Sequence, residues 1–520
     1  MNKGMEMQLN DFTREELQKI YSTIDRYLST KEQKWVKYAD LGCKIVKIVS
    51  YSDEFLPLVE KQLTYVLKDK SERFDDTLII WQEEDVLKLC KKIINNFPKI
   101  STSLRFKIAY LKGKKIEYNE NELYNTQIFD SEFSKTKPAI DIQTLRGFFI
   151  ANNKQEHTYY YGVNNLEPEE FIKEGHIFVQ FFNNILKTES SNLVHGAVIG
   201  YNGNGICFCA RGQRGKSTLS VLSMMKGFEY VSDDYLILHK DNKGQLLSSP
   251  IYSIITLAPV MYNRLYDYMK GSQFVSNNAR KDKYVFNISN YHSQFRKNYP
   301  IKLCIFPEIV TDKEPSIRPC TVEEKGRAIV QIIQSTLMQT VDLSENWTVK
   351  KIMNMVKDLP FYKLNLCWDI DKNTEFLREF MNKFNTLENK IIETPKIAVD
   401  ITFDLANILN TETGIIYSMN KFATNLYENL LRGVSINQLK KEIKQFSEYN
   451  ENIEENFEIF VEKLVEKEIF SECNVSEANL ELNFDFAKED NYKLSFVEYA
   501  QEKYIELINK ENKQKCLTTN

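Results

Sequence analysis

The 520 residues exceed what a single hydrophobic core usually organises, roughly 250 to 300 residues, so more than one domain is expected. Lys and Arg number 68 against 72 Asp and Glu, a net charge of -4, which excludes the strong cationic footprint of a nucleic-acid binder or of a protein held on an anionic membrane. No apolar run approaches the roughly 20 residues that cross a bilayer, and the polar start Met1 to Arg14 is not a secretory signal, so a cytoplasmic protein is expected.

Along the chain, Arg14 to Leu28 reads as a helix, and mixed strand and helix signals follow it, such as Lys44 to Val49 and Thr77 to Trp81. The acid pair Asp75-Asp76 has no phosphate-type loop before it and reads as a turn leading into a strand. Residues 1-190 are thus expected to form an α/β region. Its role stays open between acceptor binding, oligomerisation and packing, and homo-oligomer formation stays open with it. Leu193 to Ile199 and Ile206 to Ala210 are apolar runs of strand length joined by Asn202-Gly203-Asn204-Gly205, residues that tolerate the positive φ of a tight hairpin. Cys207 and Cys209 would share one face of the second strand. With no Cys or His at zinc-site spacing, they are expected to be small buried apolar residues, and the odd total of nine cysteines suits a reducing compartment.

Then comes Ala210-Arg211-Gly212-Gln213-Arg214-Gly215-Lys216-Ser217-Thr218, followed by a helical pattern at Leu219, Leu222 and Met225 and a stop at Gly227. A strand, Phe228 to Ser232, delivers Asp233 and Asp234. A glycine-rich loop between a strand and a helix points backbone N–H groups at anionic oxygens, with a Lys for charge and a Ser hydroxyl for Mg²⁺. The expected ligand is a nucleoside triphosphate, cradled by Arg211, Gly212, Gln213, Arg214, Gly215, Lys216, Ser217 and Thr218. Ala210 stands where the strict pattern has Gly, and it is small enough to keep the backbone near phosphate. Arg211 and Arg214 either clamp phosphate oxygens or point to solvent.

His195-Gly196, the glycine hairpin, this loop and Gly227-Phe228-Glu229-Tyr230-Val231-Ser232-Asp233-Asp234-Tyr235 together resemble the core of the HPr kinase family, most closely its relatives that phosphorylate precursor peptides. The resemblance covers about residues 193 to 240. It implies ATP and Mg²⁺ as cofactors, Lys216 on the β and γ phosphates, Ser217 and Asp234 on the metal, and Asp233 as the base that accepts a hydroxyl proton. It also implies His195 beside the acid pair, either supporting the base or serving as a core residue. Arg280, Lys281 and Lys283, at the start of another apolar strand, would contact phosphate or the acceptor, or form a solvated charge run. The family's EIRGxG-like segment is not visible, which speaks against phosphorylase activity and against HPr as substrate.

After Thr394-Pro395, strand-like runs Ile401 to Leu409 and Ile415 to Met419 flank Asn410 to Gly414, and three helices follow. The first runs from Lys421 to Arg432; the second opens on a capping box in which Ser435 and Gln438 would satisfy N–H groups reciprocally. In the third, Phe457, Phe460, Val461, Leu464 and Val465 recur at three- and four-residue intervals, so one face should be buried. This hairpin and three helices are similar to the PqqD-type recognition domain of ribosomal peptide biosynthesis, a small winged-helix unit. The similarity implies a leader peptide captured as an added strand, with Ile415, Tyr417, Phe457, Phe460 and Leu464 bordering the groove.

The expected architecture is therefore multidomain, α/β and α+β. It comprises an N-terminal region (1-190), an HPr kinase-like P-loop kinase domain (191-390), a PqqD-like domain (396-473) and a polar tail or docking helix (474-520). The expected function is an ATP-dependent kinase acting on a Ser or Thr hydroxyl of a ribosomal precursor peptide. Its alternative is a non-catalytic nucleotide-binding chaperone that presents such a peptide to another enzyme.

Overall fold

The computed structural model describes residues 14–83, 110–111, 114–115, 125–127, 141–143, 148–153, 156–164, 176–212, 214–269, 272–278, 283–312, 314–340, 345–402, 405–445, 452–471, 480, 482, 494 and 496–498. It is a mixed α/β chain with several sheets.

The first part holds helix α1 (Arg14–Leu28), strands β1 (Trp35–Asp40) and β2 (Ile45–Ser50), helix α2 (Leu56–Leu63), and strands β3 (Leu67–Lys68) and β4 (Asp76–Glu83). The short pair β5 (Tyr110–Leu111) and β6 (Lys114–Lys115) follows, then β7 (Asn125–Gln127), β8 (Asp141–Gln143), β9 (Phe148–Asn153) and β10 (Thr158–Asn164). Eight of these strands form one sheet in the order β3-β1-β2-β4-β10-β9-β8-β7. The acid pair at its centre is structural: Asp75 accepts the Ile45 N–H at 2.7 Å, and the buried Asp76 carboxylate meets Lys44 at 2.9 Å and His157 at 3.1 Å.

Helix α3 (Val179–Leu186) leads into β11 (Ser191–His195), β12 (Ala197–Tyr201) and β13 (Asn204–Phe208). Helix α4 (Lys216–Met225), β14 (Glu229–Ser232), β15 (Tyr235–Lys240) and β16 (Leu246–Pro250) continue the chain. The expected single strand Leu193 to Ile199 is in fact two, broken at Gly196, because β11 pairs with β15 while β12 pairs with β13 and β14. A smaller sheet, β17 (Ile254–Leu257) with β18 (Gln273–Asn278) and β19 (Lys283–Asn287), is accompanied by α5 (Pro259–Met269). The long β20 (Tyr299–Ile309) then completes the central sheet, β11-β15-β16-β20-β13-β12-β14, with β21 (Ser316–Pro319) and β22 (Phe361–Leu366) off its side. Strands β13, β20 and β22 run parallel, so the loop after β13 emerges where the ends of β20 and β22 also lie.

Both faces of β13 are buried, which explains its unbroken apolar run. Ile206 and Phe208 pack with Leu219 and Leu222 of α4, whereas Cys207 and Cys209 face Ile329, Ile332 and Ile333 of α6 (Val322–Thr340). Helices α7 (Glu345–Val356) and α8 (Ile370–Phe384) cover opposite faces of the same sheet, α7 beside α6 and α8 beside α4.

The C-terminal unit contains three consecutive strands where the sequence suggested a two-stranded hairpin: β23 (Ile397–Thr402), β24 (Leu405–Asn410) and β25 (Ile415–Met419). Helices α9 (Lys421–Leu431), α10 (Ile436–Lys444) and α11 (Ile453–Glu466) follow, and β26 (Phe496–Glu498) adds antiparallel to β25. A strand therefore stands within the polar tail that was expected as a docking helix or a loose end. Ser435 caps α10 by accepting the Gln438 N–H at 3.0 Å, but the reciprocal half of the capping box is absent. The Gln438 amide instead clasps the Leu480 backbone through both its nitrogen and its oxygen. Phe457, Phe460, Val461 and Leu464 are buried as periodicity requires, while Val465 stays 42% exposed.

Strand β23 lies against α6, and Gly326 is what lets it approach. A Cβ there would stand 2.7 Å from Pro395 Cγ and 3.0 Å from Ala398 Cβ. Ala398, Leu409 and Ile416 consequently share a core with α6 and the phosphate-loop strand. Gly326→Val should cost about 2 to 3 kcal/mol by overpacking, more than the roughly 0.4 kcal/mol of helix propensity that valine returns over glycine. Denaturant melts of the two proteins check this, and an unchanged midpoint would mean that β23 does not depend on the close approach.

Candidate functional site

The site forms where two chain segments switch between halves of the central sheet. His195-Gly196 joins β11 to β12, and Asp233-Asp234 joins β14 to β15 beside it; the Gly196 N–H donates to the Asp234 carbonyl at 3.1 Å. The acid turn is locally determined. The Ser232 hydroxyl donates to the Tyr235 carbonyl, the Tyr235 N–H donates to the Asp233 carbonyl at 2.9 Å, and Asp234 takes φ +67°, a left-handed conformation that Asp tolerates better than most residues.

The two carboxylates differ in surroundings. Asp233 is buried, and neither of its oxygens has a hydrogen bond of ordinary length and angle. Burial, and then the adjacent Asp234 charge, push its pKa up to about 7; the Ser217 hydroxyl and the Lys283 and Lys216 ammonium groups face it closely enough to oppose the rise. Asp234 is half-buried and accepts a hydrogen bond from the Thr256 hydroxyl of β17 at 2.8 Å.

The loop between β13 and α4 supplies the positive side. Gly215 precedes α4 at φ +87°, and a Cβ on it would sit 2.7 Å from Leu366 Cδ1, so glycine is required for both torsion and space. Lys216 opens the helix, buried, donating from Nζ to the Ala210 and Arg211 carbonyls. Burial pulls its pKa below the usual lysine range, with the Asp233 and Asp234 charges pulling the other way. Ser217 and Thr218 stand on the same first turn, whose N–H groups have no intrahelical acceptor. Gly212 is exposed. Arg214 is ion-paired to Glu308 at the end of β20, at 3.2 Å, and would have to leave it to reach a phosphate.

Of the other expected residues, His195 is buried, its backbone N–H on the Thr336 hydroxyl at 2.9 Å and its ring edge-on to Tyr235 at 5.7 Å. Lys283, on β19, reaches Asp233 electrostatically. Gln213, Arg280 and Lys281 lie outside the described residues. Ile415, Tyr417, Phe457, Phe460 and Leu464 gather in the C-terminal unit: four are buried in its core, and Ile415 is half-buried at the rim. The β25 edge beside them carries β26, with Tyr417 opposite Glu498 and Met419 opposite Phe496.

Several contributors gave no local signal. Thr256, Glu308 and Gln331 come from elements distant in sequence, and Gln331 accepts the Arg211 N–H at 3.1 Å. Cys304 of β20 stands opposite Cys207, and with Cys209 the three Sγ atoms lie within 4.8 Å of one another, fully buried beneath the loop. All three sit in apolar core, the buried position expected of small thiols.

A carboxyl raised from 3.8 to about 7 has a stability consequence. The folded state then binds a proton that the unfolded chain releases near pH 4. Stability is fully present below that pH and is lost as pH rises towards 7. With divalent metal chelated, Asp233→Asn should stabilise the protein relative to wild type by up to about 4 kcal/mol at pH 8 and by nearly nothing near pH 4. Denaturant unfolding at the two pH values decides this, and a pH-independent difference would show that the burial cost is not there.

No protein-family model matches the chain, and no curated protein matches it. Among solved structures, the HPr(Ser) kinase/phosphatase from Coxiella burnetii aligns at 11% identity over 38% of this chain and 98% of that chain, with a TM-score of 0.20. At that score the two backbones do not superpose closely enough to transfer a role to any residue.

Proposed function

We propose that this chain is an ATP- and Mg²⁺-dependent kinase that phosphorylates a Ser or Thr hydroxyl on a ribosomally made precursor peptide held by its C-terminal unit. The observation that carries the reading is the buried Asp233 carboxylate, faced by the Ser217 hydroxyl and the Lys216 ammonium at the start of α4, behind a glycine-rich loop. A buried carboxylate short of well-formed hydrogen bonds beside a cationic helix start fits a site completed by a hard cation and a triphosphate.

In this reading the N–H groups of Lys216, Ser217 and Thr218 receive phosphate oxygens, and the Lys216 ammonium turns from the loop carbonyls to the β and γ phosphates. Ser217 and Asp234 would hold Mg²⁺, which neutralises charge shared between those phosphates. Asp233, with a pKa near neutrality, accepts the proton of the attacking hydroxyl; the substrate oxygen bonds to the γ-phosphorus, the bond to the bridging oxygen breaks, and ADP departs. Lys283 adds positive charge on the facing side.

A second assignment, with the two aspartates exchanging duties, is favoured by one contact: it is Asp233 that faces Ser217, the hydroxyl expected on the metal. Mg²⁺ titrations separate the two. The Asn variant of the base should lower kcat by about 10²- to 10⁴-fold at an unchanged Mg²⁺ half-saturation, whereas that of the metal ligand should raise the Mg²⁺ requirement. Mass spectrometry of a leader-bearing precursor peptide incubated with enzyme, ATP and Mg²⁺ should show the added mass of one phosphate. Nucleotide binding without any phosphorylated product would support a peptide chaperone instead.

Capture of a leader as an added strand on β25 would require β26 to give up that edge. A chain ended at residue 495 should therefore bind the precursor peptide about tenfold more tightly than the full chain in fluorescence anisotropy, because an intramolecular competitor has been removed. Equal affinities would place capture elsewhere.

A further inference from the structure

The C-terminal sheet reaches the phosphate loop through two buried side chains. The Arg211 N–H donates to Gln331 Oε1 at 3.1 Å, and Gln331 Nε2 donates to Asp400 Oδ1 of β23 at 2.8 Å. The orientation of the amide follows from chemistry: a backbone N–H can only donate and an ionised carboxylate can only accept, so the Gln331 oxygen must face the loop. Gln331 and Asp400 are each about 1% exposed, so water cannot replace either partner if it moves away.

The rest of the network holds Asp400 in place. Arg327, one turn before Gln331 on α6, donates from Nε to the same Oδ1 at 3.0 Å, and Thr402 donates to Oδ2 at 2.9 Å. Arg327 also lies over the Phe306 ring at 5.9 Å, on the strand that carries Glu308, the partner of Arg214. Burial pushes the Glu308 carboxyl up, yet Lys363, Arg214 and Arg327 together hold it below the usual carboxylate range. Arg211 is thus tied directly to a partner of Asp400, and Arg214 to a carboxylate that the Arg327 charge also stabilises.

We propose that Gln331 and Asp400 are positioning residues that make the conformation of the phosphate loop depend on how β23 is seated. If the C-terminal unit captures a peptide, which rests on the function proposed above, its occupancy is then felt at the phosphate site. A displacement of β23 removes the carboxylate from the Gln331 amide, the side chain loses its anchor, and the Arg211 N–H loses its acceptor.

Amide hydrogen exchange on the full chain, followed by mass spectrometry of the loop segment spanning residues 205 to 219, tests the coupling. Gln331→Leu and Asp400→Asn should each accelerate exchange of one loop amide about tenfold, and the double variant should exchange no faster than Gln331→Leu alone. Unchanged loop exchange in Asp400→Asn, or effects that add in the double variant, would overturn the proposal. Thr402→Val, which perturbs Asp400 from the side away from the loop, should give the same effect at smaller size, and it decides the question if a harsher variant fails to fold. A fluorescent ATP analogue with Mg²⁺ supplies the second readout: its Kd should rise about tenfold in Asp400→Asn, and an unchanged Kd would overturn the link to the phosphate site. A wild-type chain that binds no analogue would refute the nucleotide reading, while the exchange comparison would still decide the coupling.

Discussion

Keeping the Asp233 carboxylate out of water with no hydrogen bond of ordinary length and angle on either oxygen costs free energy that a proton or a nearby cation returns, and the surrounding structure is arranged to bear that cost. Three features converge on it: the left-handed turn at Asp234, the break at Gly196 that brings a second strand crossing alongside, and the helix whose first residue is a buried lysine. Lys216 carries the opposite burden, a cation held down in pKa by the same dryness. The two opposite charges offset part of each other's burial cost.

One helix connects this arrangement to the rest of the chain. Along α6, Lys325 donates to the Lys357 and Ile392 carbonyls, Gly326 admits β23, Arg327 and Gln331 hold Asp400, and Thr336 receives the His195 N–H. Its apolar residues Ile329, Ile332 and Ile333 meanwhile pack on the strand that ends in the phosphate loop. A helix with one face in the core and its polar groups bonded to several different neighbours fixes their relative positions.

The first sheet joins the central one through shared core rather than through the site. Leu193, Tyr235, Ile237 and Tyr252 pack with Phe178, Phe181 and Phe182 of the α3 region, and the Gln62 carbonyl accepts the Ser253 N–H at 2.7 Å, just before β17. Because Thr256 of β17 holds Asp234, the N-terminal part supports the acid pair at one remove.

What the sequence determined by itself is what short-range chemistry decides. The glycine at 215, the lysine and serine behind it, the paired aspartates and the helical stripe at Leu219 and Leu222 were legible, because torsional freedom, charge and 3.6-residue periodicity act within a few residues. The first helix and the three C-terminal helices were legible on the same ground. Only the tertiary structure decided that Leu193 to Ile199 breaks into two strands, since the switch at Gly196 depends on which partner each half pairs with. It alone brought Thr256, Glu308, Gln331 and Asp400 to the loop and set Cys304 beside Cys207, and it placed a strand from the polar tail on the edge of β25. Such contacts join residues from about 20 to 120 positions apart, and their spacing follows from sheet order and helix docking, which no local pattern of residues encodes.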